Sequence, residues 1–208
     1  MNLELDQAIE FLTTPSATPP APEAVVKTLL QAEKTAKQTK VRHVYSQLIG
    51  TWRLGFITGT KRSRKRAGVI LGAGRFLPKW VKIHLSYSQS ELSQEQGTVQ
   101  NSVELGPLRL VLTGPIKFWQ KTNILAFDFT RMKVSLSGLK VYEGYIRGGQ
   151  DREAHFWEQS VKEQAFFTYF FVQDNSIAAR GRGGGLALWT RVNKKNTEVQ
   201  EFRSSGES

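Results

Sequence analysis

From Leu48 to Arg191 the chain offers one short segment after another with apolar residues at every second position, and almost nothing helical interrupts them before about residue 151. Alternation of that period gives each strand one apolar face. A chain built this way has many faces and many edges to hide, and closing the sheet on itself removes the edges. Two stretches mark where closure would occur. Leu48-Ile-Gly-Thr-Trp-Arg-Leu opens the series, and Ile177-Ala-Ala-Arg-Gly-Arg-Gly-Gly-Gly-Leu-Ala-Leu-Trp-Thr-Arg ends it.

Leu48, Trp52, Leu54 and Phe56 share one face of the first segment, and Val81, Ile83, Leu85 and Tyr87 share one in the next. Leu108, Leu110 and Leu112 follow, then Leu125, Phe127 and Phe129, then Met132, Val134 and Leu136. The parity change between Phe129 and Met132 predicts a turn or bulge near Thr130-Arg131. Leu105-Gly-Pro, Thr113-Gly-Pro and Ser137-Gly read as turns, and Asp174-Asn-Ser as a hairpin turn. Gly148-Gly-Gln-Asp-Arg-Glu opens a polar insertion with room for a short helix. Ala165-Phe-Phe-Thr-Tyr-Phe-Phe-Val is apolar on both faces, so this strand is either buried twice or faces something greasy. The fold class is mainly β: an antiparallel up-and-down β-barrel of about eight strands with an N-terminal helix. A β-sandwich is the competing architecture.

Ahead of the barrel, residues 1–22 read as a short amphipathic segment and a Pro-rich linker holding four of the seven prolines, a detachable appendage. Residues 23–47 read as a helix packing on the barrel through Val25, Val26, Leu29 and Leu30, with a centre from Gln31 to Lys40 that is polar all round. The barrel spans 48–192, and 193–208 is a polar tail.

Composition narrows the chemistry. The 208 residues carry a formal charge of +11, which points to polyanionic partners such as an anionic membrane surface or nucleic acid. There is no cysteine, so thiolate catalysis and Cys-ligated metals are excluded. The acidic start, Met1-Asn-Leu-Glu-Leu-Asp, reads as neither a secretory signal nor an Arg/Ser-rich transit peptide. His43, His84 and His155 lack the spacing of a zinc helix, and no Gly-x-Ser-x-Gly occurs. Glu104, Asp128 and Glu143 could converge as an acid/base pair, but salt bridges to Arg109, Arg131 or Lys140 are the plainer expectation. The expectation from these residues is therefore no metal site, with a carboxylate pair inside the barrel as the remaining enzymatic alternative.

Lys61-Arg-Ser-Arg-Lys-Arg places five cations in six residues directly after the first strand. Lys61, Arg62, Arg64, Lys65 and Arg66, with Arg75 and Lys79 around Phe76 and Trp80, form a candidate surface for docking on anionic lipid. The same interleaving could stack single-stranded bases, but no RNA-binding consensus accompanies it, which makes nucleic acid the weaker partner. Gly50-Thr-Trp52 reads as the plug of one barrel end, with Arg180 or Arg191 stacked on the indole and the other end left free for a ligand. Trp52, Phe56, Phe127, Phe129, Tyr169 and Phe171 are the candidate ligand-contacting residues. Gly181-Arg-Gly-Gly-Gly lacks the Lys-Ser/Thr of a phosphate loop and reads as turn or bulge glycines.

The two ends of the series resemble the plastid lipid-associated protein family, the fibrillins of chloroplasts and cyanobacteria, which are lipocalin-like. Leu48, Gly50, Trp52 and Leu54 match the family's opening Leu-x-Gly-x-Trp-x-Leu. In the closing region Ile177, Arg180, Gly181, Gly183 and Gly184 resemble the family's Ile- and Arg-Gly-x-Gly-Gly-containing ending, with two residues between the Ile and the Arg. Arg182 stands where the family usually has an acid, and the basic run replaces a Ser/Thr-rich stretch. The resemblance implies a non-enzymatic barrel that binds a lipid or an isoprenoid such as a quinone or carotenoid and needs no other cofactor. It also implies peripheral docking on the thylakoid, at its cytoplasmic face in a cyanobacterium or the stromal side in a plastid. An assembly factor that binds a photosynthetic pigment–protein complex, without a small ligand, is the alternative.

Overall fold

The computed structural model describes residues 3–14, 16–59, 74–91 and 93–192. Two helices, α1 (Leu3–Thr13) and α2 (Pro22–Gln38), lead through a 3-10 turn (Tyr45–Gln47) into β1 (Gly50–Ile57). Then come β2 (Arg75–Phe76), β3 (Lys82–Ser90), β4 (Ser93–Leu105), β5 (Leu108–Trp119), β6 (Ile124–Phe127), β7 (Arg131–Leu136) and β8 (Leu139–Tyr145). Helix α3 (Gly149–His155) precedes β9 (Ala165–Val172), β10 (Ser176–Gly181) and β11 (Leu186–Arg191).

Strands β1, β3, β4, β5, β6, β9, β10 and β11 pair in that order, all antiparallel, and β11 returns to β1. This is a closed eight-stranded up-and-down barrel, as the alternation predicts. The β7–β8 hairpin departs from it. It attaches to the first half of β5, over Leu108–Thr113, while β6 pairs with the second half of the same edge. Strands β4, β5, β7 and β8 thus project beyond the barrel as a flap.

Thr113-Gly114-Pro115, expected to be a turn, lies inside β5 where its partner changes from β7 to β6. The link from Asp128 to Thr130 crosses here: Asp128 N–H donates to Pro115 O at 3.2 Å and Thr130 N–H to Thr113 O at 3.0 Å. A Cβ on Gly114 would lie 1.9 Å from Asp128 O. Gly114→Ala is expected to destabilise the fold by roughly 1–3 kcal/mol through forced backbone movement, measurable by thermal unfolding. An unchanged melting temperature would show that the link yields freely.

Two cores divide the burial. The inner one fills the barrel with Tyr45, Leu48, Trp52, Leu85, Tyr87, Val99, Ile116, Phe118, Leu125, Tyr169, Ile177 and Trp189. The outer one lies between the helices and the barrel wall, where Leu5, Ala8, Ile9, Val25 and Leu29 meet Phe56, Phe170, Ala178, Leu186 and Leu188. Residues 3–13 are therefore a packed part of the fold and not the expected appendage. Helix α2 ends at Gln38, nine residues short of the expected 47, because Lys40 takes φ 53° and turns the chain toward the barrel base. Its polar centre also docks: Glu33 is buried against Arg180 of β10.

Two bulges correct the parity read from sequence. In β1 the register shifts between Leu54 and Phe56, so Trp52 points inward and Phe56 outward beneath the helices. Gly55 is the extra residue, and Leu12 of α1 fills the space a side chain would need, 2.3 Å from the position of its Cβ. In β9 the register shifts between Ala178 and Ala179 of its partner, so Tyr169 faces inward while Phe170 and Phe171 face the helices. The doubly apolar strand is buried twice.

Candidate functional site

One end of the barrel is sealed. Trp52 is fully buried, its Nε1–H donates to Leu48 O at 2.7 Å, and the Arg191 guanidinium lies 4.0 Å from the ring centroid. Arg191 also donates to Ile49 O at 3.0 Å, to Gln47 O at 3.3 Å and to Asp174 O. Gly50 has φ 122°, a conformation that favours glycine, and a Cβ there would stand 2.7 Å from Arg191 Nη1 and push the guanidinium off its place. Asn123 ties down the approaching chain, accepting from His43 N–H at 2.9 Å and donating to Val41 O at 2.8 Å. Burial lowers the pKa of His43, which keeps the ring neutral.

The middle of the barrel is filled. Tyr87 and Tyr169 share a hydroxyl–hydroxyl bond of 2.7 Å, and Tyr45 OH donates to Ser88 O at 2.9 Å. Burial raises the pKa of all three phenols, so they stay protonated. Phe167 stacks on Phe127 at 5.0 Å and meets Trp189 edge-on at 5.4 Å.

The other end opens into a cleft of ≈ 820 Å³ between the flap and the segment that follows β8. Its apolar wall is Leu110, Leu112, Phe127, Phe129, Met132 and Ala165. These residues come together because β5 and β7 carry the inward face of the barrel past its rim. The opposite wall is polar: Asp128 is ion-paired with Arg152, and Arg147, Gln159, Glu163 and Gln164 complete the lip. Arg182 steadies this lip by donating to the carbonyls of Gln164 at 2.9 Å and Glu163 at 3.1 Å. The buried Gln164 side chain donates to Phe156 O at 2.7 Å. An apolar wall facing charged and amide groups suits an amphipathic guest.

Of the residues singled out from sequence, Phe127 and Phe129 line this cleft. Trp52 and Tyr169 face inward but are sealed into the packed interior, and Phe56 and Phe171 lie on the helix side of the wall, so these four are not on the cleft. Arg191, one of two arginines expected over Trp52, is the one that stacks; Arg180 pairs with Glu33 instead. Lys61, Arg62, Arg64, Lys65 and Arg66 lie outside the described residues. Arg75 and Lys79 are exposed, Lys79 Nζ 5.6 Å from the Phe11 ring and its carbonyl accepting from Arg53 at 3.0 Å. Leu110, Leu112 and Met132 were legible as strand faces. Only their position at the branch of β5 makes them a wall.

The carboxylates do not converge. Glu104 pairs with Arg109 at 3.5 Å, Glu143 with Lys140 at 3.1 Å and Asp128 with Arg152. Among the described residues no three His, Asp or Glu side chains form a metal-binding group, and no helix is long and apolar enough to cross a membrane.

No family model and no curated protein matches the chain. Among solved structures it is similar to a redesigned β-barrel, mFAP1, bound to DFHBI, at 9% identity and a TM-score of 0.30, over 71% of this chain and 96% of that one.

Proposed function

We propose that this protein is a non-enzymatic barrel that holds a lipid or an isoprenoid, such as a quinone or carotenoid, in the cleft at its open end, and that it docks peripherally on an anionic photosynthetic membrane. The observation that carries the reading is the asymmetry of the barrel, sealed by Trp52 and Arg191 at one end and open at the other. A cleft of ≈ 820 Å³ is within the usual size for a small-molecule site. The protonated phenols and paired carboxylates favour holding over reacting. The charge of +11 supports the anionic surface. The thylakoid, on its cytoplasmic or stromal side, is proposed from the resemblance at the two ends of the strand series alone.

Organic extraction of the purified protein followed by mass spectrometry tests the first half, with a stoichiometric apolar molecule as the expected result. Titration with a fluorescent fatty acid provides a second measure. Met132→Trp, which fills the cleft, is expected to weaken that binding about tenfold or more, since the larger side chain displaces the guest from its apolar wall. Equal binding by the variant would move the guest elsewhere.

Among the described residues the outer edge of β8 pairs with no strand, which favours a second reading, a scaffold that adds its sheet to a pigment–protein complex and holds no small ligand. An extract free of any apolar molecule, together with no binding of the fluorescent fatty acid, is the result that would prefer it.

A further inference from the structure

The flap ends in an unusual row. Leu105 pairs with Leu108 across the β4–β5 turn, Leu108 with Leu136 across β5 and β7, and Leu136 with Leu139 across the β7–β8 turn. Directly opposed residues of antiparallel strands share a face, so four leucines stand side by side over roughly 14 Å, three strand spacings. They are 41%, 39%, 49% and 75% exposed. Ser137 N–H donates to Pro107 O at 2.8 Å, which locks the two turns together.

We propose that this leucine row enters the headgroup boundary of an anionic bilayer, so that the barrel docks with its open end toward the lipid and the guest passes directly between membrane and cleft. The inference rests on the proposed membrane docking and names the surface that performs it. Behind the row on the same face lie Leu110 with Val134, then Leu112 with Met132, the last of these pairs in the cleft wall. The apolar face therefore runs without a break from the flap tip into the cleft. Trp80, 71% exposed between Lys79 and Lys82, stands at the same end of the sheet, because Lys82 pairs with Glu104 next to Leu105. An exposed indole flanked by cations suits the headgroup level. Arg109 and Lys140 lie on the other face of the flap, 56% and 61% exposed and paired with Glu104 and Glu143, so the attraction to anionic lipid rests on the cations around Trp80 and on the chain's net charge of +11.

A second copy of the chain is the competing occupant. A stable dimer buries about 800 Å² per partner, more than four partly exposed leucines at turn tips present. The shape, a narrow apolar tip beside an exposed indole flanked by Lys79 and Lys82, suits shallow insertion instead.

The test is flotation with phosphatidylcholine vesicles, with and without phosphatidylglycerol. The expected result is that the protein floats with the anionic vesicles. Leu136→Asp and Leu139→Asp, both at exposed tips, are expected to lower partitioning about tenfold each while fatty-acid binding in solution is kept. Because the chain has no cysteine, Leu139→Cys takes a single polarity-sensitive label. Its emission should shift to the blue on adding anionic vesicles. Aspartate variants that float like the wild type, or a label that sees no change, overturn the leucine row but leave membrane docking standing. A wild type that never floats overturns both. A concentration-dependent dimer that the aspartates dissolve, with no lipid association, assigns the row to a second copy and also overturns the proposal.

Discussion

Trp52→Ala is expected to lower stability by about 3–5 kcal/mol, the range for deleting a fully buried aromatic. The cavity left at the sealed end is only part of that loss. The variant also leaves Leu48 O without its indole donor and strips the Arg191 guanidinium of the ring it covers at 4.0 Å. For a chain of this size the change corresponds to a drop of roughly 10 °C in Tm, readable by circular dichroism. Trp80→Ala, on a residue that is 71% exposed, is the control and should move stability by about 0.5 kcal/mol or less. Similar losses in the two variants would show that Trp52 does not seal the barrel.

Glu33→Gln comes next in size. The Glu33 carboxylate, 8% exposed, accepts from Arg180 through both oxygens, with Nε at 2.8 Å, and from Lys37 at 3.1 Å. The variant leaves a half-buried guanidinium without its counter-charge. Breaking such a pair costs about 3–5 kcal/mol when fully buried, and solvent access to Arg180, 31% exposed, reduces that to roughly 2–3 kcal/mol. The bond from Arg180 holds the Glu33 pKa below its ordinary value of 4.5. A carboxylate lowered in the folded state contributes stability that is present above the unfolded value and is lost as pH falls through the folded one. The difference in Tm between wild type and Glu33→Gln should therefore be full at neutral pH and shrink as pH falls below about 4.5. A difference independent of pH would mean that the pair contributes packing and no charge.

Both variants act on joints that were unequally legible. Gly50 and Trp52 announce a sealed end in one tripeptide, because a glycine admits a close neighbour and the indole two residues on is large enough to fill the end. Helix α2, by contrast, has a centre that looks uniformly solvated, and nothing local marks Glu33 as buried. Its partner Arg180 lies 147 residues away. The candidate site divides in the same manner. Phe127 and Phe129, legible from their strand faces, line the cleft, whereas Trp52, Phe56, Tyr169 and Phe171, legible in the same way, do not. Leu110, Leu112 and Met132 carry the same alternation, and nothing local distinguishes them from other inward-facing residues.

By itself, then, the sequence determined the two-residue period of the strands, a barrel of about eight of them and its sealed end. All of these follow from residues within a strand or a turn, where the two-residue period and the needs of glycine act locally. The tertiary structure decided which way Phe56 and Phe171 point, that Gly114 lies within a branched strand, that α1 packs on the barrel, and that four leucines line up across two turns. A bulge or a branch is a relation between a strand and its partner, and a one-residue shift in that relation reverses every side chain beyond it. Such shifts are settled only when distant segments compete for the same edge and the same buried space.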